Sequence, residues 1–162
     1  MLKFKMLAAT LLAVSCLGMT AAHAQPQTKA QIVQNYDQTQ KNRAMVMKAY
    51  QALFGDHDLG ALDLYWSDTY IQHNPQMVDG KQGVRDFMTK LGILNGPKQQ
   101  IKFLRVIAEN DLVMLQTSSP AFGTTPEMVY ADIFRVENEK IVEHWDVIQA
   151  VPADKTNPRP MY

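Results

Sequence analysis

The stretch Met128–Gln149, MVYADIFRVENEKIVEHWDVIQ, decides the fold that we expect of this chain. Apolar and polar residues alternate on both sides of Asn138-Glu139, with a period of two. This period is typical of β-strands, and a short polar segment between two such runs is typical of a hairpin turn. The sequence therefore predicts two antiparallel strands joined by a tight turn.

The same stretch places ionisable groups among apolar neighbours. In the first strand Asp132 falls on the same face as Tyr130 and Phe134, and in the second Asp146 shares a face with Ile148. A solvent-facing strand usually separates charged from apolar residues. Carboxylates on an apolar face therefore mark this hairpin as a candidate functional site.

Upstream of the hairpin, the pattern predicts helices first and strands afterwards. Apolar residues follow a helical period from near Asn42 to Gly55, in a short segment from Asp58, and again after Asp79-Gly80. A short strand at residues 70–73 lies between the last two helices, and two further strands precede the hairpin, at residues 101–108 and 112–119. Strands that follow helices indicate an α+β fold with a mainly antiparallel sheet. A long helix against a twisted sheet forms a half-open cone, whose mouth is a natural small-molecule pocket.

The amino terminus has the pattern of a secretory signal peptide. Lys3 and Lys5 precede an apolar run, and Ala22-His23-Ala24 supplies the small residues that signal peptidase requires. We expect cleavage after Ala24 and a periplasmic or secreted protein. The alternative is a lipoprotein modified at Cys16.

The chain then divides into a polar segment, one domain and a tail. Residues 25–41 form a polar arm or a helix extension, residues 42–150 the domain, and residues 151–162 an extended, proline-containing tail. Cleavage removes the single cysteine, which excludes disulfides and a thiol nucleophile. It also removes two of the 16 basic residues and leaves 14 against 16 acidic ones. This balance gives no basic patch for nucleic acid or an anionic membrane.

Four motifs together resemble a known family. They are AYQALFGDHDLGALDLYW, YIQHNP, GVRDFM and DIFRVENEKIVEHWDVIQ, and with the helix that ends in the first of them the resemblance covers roughly residues 42–149. In this combination the chain resembles the SnoaL-like (polyketide cyclase-like) group of the nuclear transport factor 2-like superfamily. The resemblance implies the cone-shaped α+β fold. That superfamily contains cyclases, isomerases and dehydratases, and also binding modules without activity.

The resemblance also implies site residues. SnoaL-like cyclases need no cofactor: an aspartate near the pocket floor removes an α-proton, and the enolate then closes a ring. Asp146 is similar in position to that aspartate. Asp132 occupies the place where the polyketide cyclase has a histidine, so His73 of YIQHNP is the candidate replacement donor to the enolate oxygen, together with Tyr130 or protonated Asp132.

The register of the hairpin decides whether the two aspartates meet. A plain two-residue loop places Asp132 opposite Trp145, whereas a one-residue bulge at the turn places it opposite Asp146. Residue types at the turn leave both registers open. On the strength of the resemblance we expect the bulged register. Two carboxylates in one pocket would then raise the pKa of at least one of them.

Further residues of the expected pocket are ligand contacts. We expect the substrate to contact the following side chains: Tyr130, Phe134, His144, Trp66 and Asn74. A purely structural role is open for each of them, such as core packing for the aromatic residues. Asp132 could likewise form an ion pair with Arg105, and His73 could cap a turn with Asn74. Asp56-His57-Asp58 lacks paired-ligand spacing, so we expect neither a metal nor a cofactor.

The leading hypothesis is therefore a cofactor-independent enzyme that abstracts a proton α to a carbonyl, with Asp146 as the base. Its partner would be a small apolar or carbonyl-containing molecule, and a homodimer is expected. One alternative is an exported protein that binds a small apolar ligand without catalysis. Another is a dimeric interaction module that uses the open face of the sheet.

Overall fold

The computed structural model describes residues 27–162, and the expected signal peptide and Cys16 lie outside the described residues. Three α-helices and five β-strands form the domain. Their bounds are α1 Lys29–Tyr50, α2 Ala61–Tyr65, α3 Gly80–Lys90, β1 Trp66–Gln72, β2 Phe103–Glu109, β3 Leu112–Ser119, β4 Met128–Glu137 and β5 Lys140–Ala150. A π-helical turn, Gln51–Gly55, continues α1, and a 3-10 turn, Ile93–Asn95, follows α3.

The strands form one open sheet in the order β1-β5-β4-β3-β2. Neighbouring strands are antiparallel except β1, which pairs in parallel with β5. The expected α+β class is therefore confirmed. The short strand predicted at residues 70–73 begins four residues earlier, because Trp66 already pairs with Ile141.

The first helix is longer than its apolar pattern indicates. It begins at Lys29, where the side chain of Thr28 accepts a hydrogen bond from the backbone N–H of Gln31 and completes a capping box. Residues 31–38 are exposed, which explains why this segment carries no apolar stripe. Of the two alternatives for the polar segment, the helix extension is the one observed.

The core lies between the helices and one face of the sheet, which we call the inner face. Helix α1 contributes Val46 and Ala49, α3 contributes Val84 and Met88, and the sheet contributes residues of β1, β3, β4 and β5. The sheet residues of this core are Trp66, Tyr70, Val113, Leu115, Phe134, Val136 and Ile141. Within the part of the chain that the structure describes, no helix covers the opposite face, which we call the outer face. No helix among residues 27–162 is long and apolar enough to cross a membrane.

The β4–β5 hairpin combines a tight turn with a bulge. Asn138 and Glu139 form a two-residue turn with φ angles of 50° and 59°, and Glu137 pairs with Lys140. Val136 still pairs with Ile141, but Arg135 pairs with Glu143, so Val142 is left without a partner. Beyond this point Asp132 faces Asp146 and Phe134 faces His144. The expected register is confirmed, whereas its expected cause is corrected: the extra residue lies within β5, not at the turn.

The turn provides a test of backbone strain. A left-handed conformation costs most residues about 1 kcal/mol, and glycine adopts it freely. We therefore expect Glu139→Gly to raise the free energy of unfolding by about 1 kcal/mol. Glu137→Gly, inside the neighbouring strand, should lower it by about 0.5–1 kcal/mol. Urea denaturation measures both, and equal destabilisation by the two variants would contradict this account of the turn.

Candidate active site

The hairpin register gathers six side chains on the inner face. They are Tyr130, Asp132 and Phe134 of β4, and His144, Asp146 and Ile148 of β5, in three cross-strand pairs. The first residue of each pair is buried or half-buried, and exposure increases towards Ile148, which is 38% exposed. The site therefore has a closed end at Phe134 and His144 and an open end at Tyr130 and Ile148.

Asp132 and His144 form a buried hydrogen-bonded pair, and each is only 5% exposed. His144 Nε2 lies 3.1 Å from Asp132 Oδ1, and His144 Nδ1 lies 3.0 Å from Gln72 Oε1. Gln72 occupies this position because it pairs with His144 across the parallel β1–β5 register. Phe134 stacks on the imidazole with ring centres 4.6 Å apart, which closes the site from the core side.

Helix α1 supplies a fourth polar group, Tyr50, which sequence reasoning assigned only to the apolar stripe of the helix. Its hydroxyl donates to Asp132 Oδ2 at 3.2 Å and lies 3.2 Å from Thr117 Oγ1 of β3. Burial, and secondarily the nearby Asp132 carboxylate, raises the pKa of Tyr50 well above its ordinary value. The phenol therefore stays protonated and can act as a donor. The sequence did contain a signal for this role of Tyr50: a tyrosine on the buried stripe of a helix needs a hydrogen-bond partner for its hydroxyl.

Asp146 is less covered than its partner across the strands. Its Oδ2 accepts a hydrogen bond of 2.6 Å from Asn74 Nδ2, while Asp146 itself is half-buried. Asn74 is 5% exposed, and its side-chain oxygen also accepts the backbone N–H of Gln76. Asn74 thus orients the carboxylate of Asp146, and the expectation that it contacts a ligand directly is not supported by its burial.

His73 lies on the outer face of the sheet, and the expectation that it shares the pocket of Asp146 is wrong. It follows Gln72, which faces inwards, so strand alternation turns His73 the other way. Its Nε2 lies 2.9 Å from Glu143 Oε1, and its ring stacks on Trp145 at 4.8 Å. The hydrogen bond from His73, followed by that from Arg135, lowers the pKa of Glu143. His73 therefore belongs to a surface network.

Trp66 and Phe134, two other expected ligand contacts, lie in the hydrophobic core. Trp66 is 2% exposed in the core, and its Nε1 is buried without a partner among residues 27–162. Phe134 is equally buried. Tyr130 is half-buried near the open end, with its hydroxyl 3.0 Å from Ser119 Oγ. The alternative ion pair of Asp132 with Arg105 is not formed, since Arg105 bonds Gln116 on the outer face.

Aromatic side chains fill the interior next to the buried pair. The ring of Tyr50 lies within 4.7–6.1 Å of the rings of Phe54, Phe103 and Phe134. Surface depressions of about 740 and 690 Å³ lie along α1 and beside the β4–β5 turn, and neither contacts the cluster. The more exposed members of the cluster are Asp146, Tyr130 and Ile148 at its open end.

The cluster also has the composition of a possible cation site. Asp132, His144 and Asp146 each offer one ligand atom, and these atoms lie within 4.8 Å of one another. Nitrogen and oxygen ligands of this kind suit a divalent transition metal. In the structure, His144 Nε2 and Asp132 Oδ1, two of these ligand atoms, are joined directly by a hydrogen bond.

Tyr50 provides the test of the buried network. Tyr50→Phe removes only the hydroxyl and leaves Asp132 Oδ2 without its donor, so we expect a loss of about 1–3 kcal/mol in the free energy of unfolding. Tyr36→Phe, on the same helix at a side chain that is 63% exposed, is the matched control and should change little. Urea denaturation at neutral pH measures the difference, and equal effects would contradict a role for the hydroxyl.

The same variant should change the alkaline pH dependence. A tyrosine with a raised folded-state pKa contributes stability that is complete below the unfolded-state pKa, about 10, and is lost as the pH rises towards the folded-state value. The stability of the wild type should therefore decline more steeply above about pH 10 than that of Tyr50→Phe.

Comparison with known proteins identifies the fold and the family. The model of the SnoaL-like domain matches residues 47–144, which is more than half of the chain. No curated protein matches the chain.

Three solved structures illustrate the similarity of fold. An LEH-like epoxide hydrolase of M. tuberculosis is 17% identical, with a TM-score of 0.53 over 69% of this chain and 85% of that one. A nuclear transport factor 2-like protein of unknown function from Cytophaga hutchinsonii is 23% identical, with a TM-score of 0.52 over 66% and 98%. A candidate ketosteroid isomerase from Kribbella flavida is 13% identical, with a TM-score of 0.54 over 75% and 84%.

At these identities the structures establish the fold and leave the activity open. The family match agrees with the helices packed on one face of an open, mainly antiparallel sheet. The chain belongs to the SnoaL-like domain family and has the nuclear transport factor 2-like α+β fold.

Proposed function

We propose that this protein is an enzyme that, without a cofactor, removes a proton α to a carbonyl group of a small molecule. The observation that carries the proposal is the cross-strand pair of Asp132 and Asp146, of which only Asp146 lies towards the open end of the site. A carboxylate that is oriented by one hydrogen bond and still reachable is suited to act as a general base.

The proposed reaction uses Asp146 as base and acid. Its free carboxylate oxygen takes the α-proton, and the electron pair of the C–H bond forms the carbon–carbon double bond of an enolate. The enolate carbon then either attacks a second carbonyl of the substrate, as in an aldol cyclisation, or is reprotonated elsewhere, as in an isomerisation. Asp146 returns the proton to the new alkoxide or to carbon, so that no other reactant is consumed.

Stabilisation of the enolate oxygen is assigned to groups on the inner face. Tyr130 is two residues from Asp132 on β4, and its hydroxyl lies near the open end, where it can turn from Ser119 to a substrate oxygen. The buried pair of Asp132 and His144 lies behind Asp146 and keeps a protonated group close to the developing charge. Fixed donors of this kind provide much of the rate enhancement in enolate chemistry.

Fold similarity supports the proposal only in outline. An epoxide hydrolase and a candidate isomerase share this fold, and both activities concern small organic molecules. Because the fold also supports non-catalytic binding, the arrangement of residues carries the argument.

Replacement of the base tests the mechanism. Asp146→Asn preserves shape and removes the basic oxygen, so kcat/KM on a matched substrate should fall by about 100-fold or more. Suitable substrates are β-keto esters and unsaturated ketones, with turnover and α-proton exchange into deuterated water followed by NMR. Asp154→Asn, on the exposed tail, is the control. Undiminished exchange by a folded Asp146→Asn protein would exclude Asp146 as the base.

An exported binding protein for a small apolar ligand is the second candidate. It is favoured by the apolar rim at Ile148 and by the filled interior, which leaves only the open end for a ligand. The outer face also exposes apolar side chains, among them Val147 at 70%, Ile71 at 42% and Ile133 at 38%, which favours a homodimer through that face.

Native mass spectrometry of protein isolated from the periplasm distinguishes these possibilities. We expect a dimer of chains that begin at Gln25 and carry no ligand. A small molecule that stays bound through purification would favour the binding protein. A lipid-modified chain that begins at Cys16 would contradict the cleavage site.

A further inference from the structure

Gln72 makes hydrogen bonds with both ends of its side-chain amide in the buried part of the site. Its Oε1 is 2.9 Å from the backbone nitrogen of Asn74 and 3.0 Å from His144 Nδ1. Its Nε2 donates to the hydroxyl of Tyr70 at 2.9 Å. Gln72 is 9% exposed and Tyr70 is 2% exposed, so water does not compete freely for these bonds.

The backbone of Asn74 fixes the orientation of this amide. A backbone N–H can only donate, so the atom facing it must be the carbonyl oxygen of Gln72. Rotation of the amide by half a turn would bring an NH₂ group against the backbone N–H of Asn74 and lose the bond between them. The oxygen that accepts from Asn74 is therefore the same oxygen that faces the imidazole of His144.

The protonation of His144 follows from this orientation. Because Gln72 Oε1 is an acceptor, His144 Nδ1 must carry a hydrogen. Nε2 then faces Asp132 Oδ1 at 3.1 Å. Two lone pairs at that distance repel each other, so a proton must lie between them. It makes the pair either an imidazolium with a carboxylate or a neutral imidazole with a carboxylic acid.

We propose that Gln72 is a positioning residue that locks His144 in the Nδ1–H form and thereby keeps one shared proton between His144 and Asp132. The proton is held because its loss would leave two acceptors in contact in a buried site. The second oxygen of Asp132 accepts a hydrogen bond from Tyr50, and among residues 27–162 the side chain of Asp146 is bonded only by Asn74. The consequence for catalysis rests on the proposed function: Asp146 is then the member of the cluster that exchanges protons with a substrate.

The locked proton can be observed directly by NMR, without a substrate. Long-range proton–nitrogen spectra of ¹⁵N-labelled protein distinguish the two nitrogens of each imidazole and report which one carries hydrogen. Purified protein is first treated with a chelator and dialysed. Signals of His57 and His73 are assigned with His57→Gln and His73→Gln, neither of which touches the buried network, so that the remaining mature-chain histidine is His144.

In the wild type at neutral pH, Nδ1 of His144 should carry a hydrogen, because it faces the acceptor oxygen of Gln72. Gln72→Met retains the length of the side chain but lacks the acceptor. Neutral His144 should then carry its hydrogen on Nε2, where Asp132 accepts it, and the Nδ1–H signal should be lost.

Two further variants separate positioning from packing. Gln72→Glu restores an acceptor for both Asn74 and His144 and should recover the wild-type pattern. Gln76→Met, at an exposed side chain in the next loop, should leave it unchanged. If Gln72→Met does not fold, the comparison of wild type with Gln72→Glu still decides, since both must show the Nδ1–H form.

Three results would overturn the proposal. They are an unprotonated Nδ1 in the wild type, an unchanged Nδ1–H signal in folded Gln72→Met, and a His144 spectrum altered by removal of the chelator and addition of zinc at stoichiometric concentration. The last would show a metal ion in place of the proton.

With a substrate in hand, Gln72→Met should lower kcat by about tenfold or more with little change in KM. The NMR result stands or fails independently of the Asp146→Asn experiment.

Discussion

One unpaired residue in β5 determines what the inner face of this protein carries. Because Val142 has no partner on β4, the residues that follow it are shifted by one position against their neighbours. Ile141 and His144 consequently both face the core, although they are three residues apart and plain alternation would place them on opposite sides. The shift brings Asp132 opposite Asp146. Without it, His144 and Asp146 would lie on the outer face, and neither could pair with Asp132 on the inner face.

The polar cluster that results is held by four parts of the chain that are distant in sequence. Tyr50 comes from α1, Gln72 and Asn74 from β1 and the residues after it, Asp132 from β4, and His144 and Asp146 from β5. Each buried polar group in this set has a partner, which is the condition under which polar groups are tolerated in a core. The chain of hydrogen bonds also constrains the protons, since the backbone N–H of Asn74 can only donate and thereby fixes Gln72 Oε1 as an acceptor beside His144. Asp146, at the end of this chain, is the member left most accessible.

Membership of the SnoaL-like family accounts for the helices packed on one face of an open sheet, and it does not specify the chemistry. The features that bear on chemistry belong to particular residues of this chain. Asp132 and His144 form a buried pair where family resemblance suggests a histidine on β4, so the histidine is present but comes from the neighbouring strand. His73, the residue expected to replace it, forms instead a surface network with Glu143 and Trp145 on the outer face.

The sequence by itself determined the order and type of the elements, because periodicity is a local property that side-chain burial imposes along the chain. It also determined that Asp132 and Asp146 lie among apolar neighbours. Only the tertiary structure decided the position of the bulge, since Val142 has no local signal and is left unpaired by the packing of Ile141 and His144 into one core. Only the tertiary structure brought in Tyr50 and Gln72, because the pairing of β1 with β5 and the seating of α1 are long-range contacts. Those same contacts turned His73 outwards and completed the site with residues that no spacing in the sequence connects.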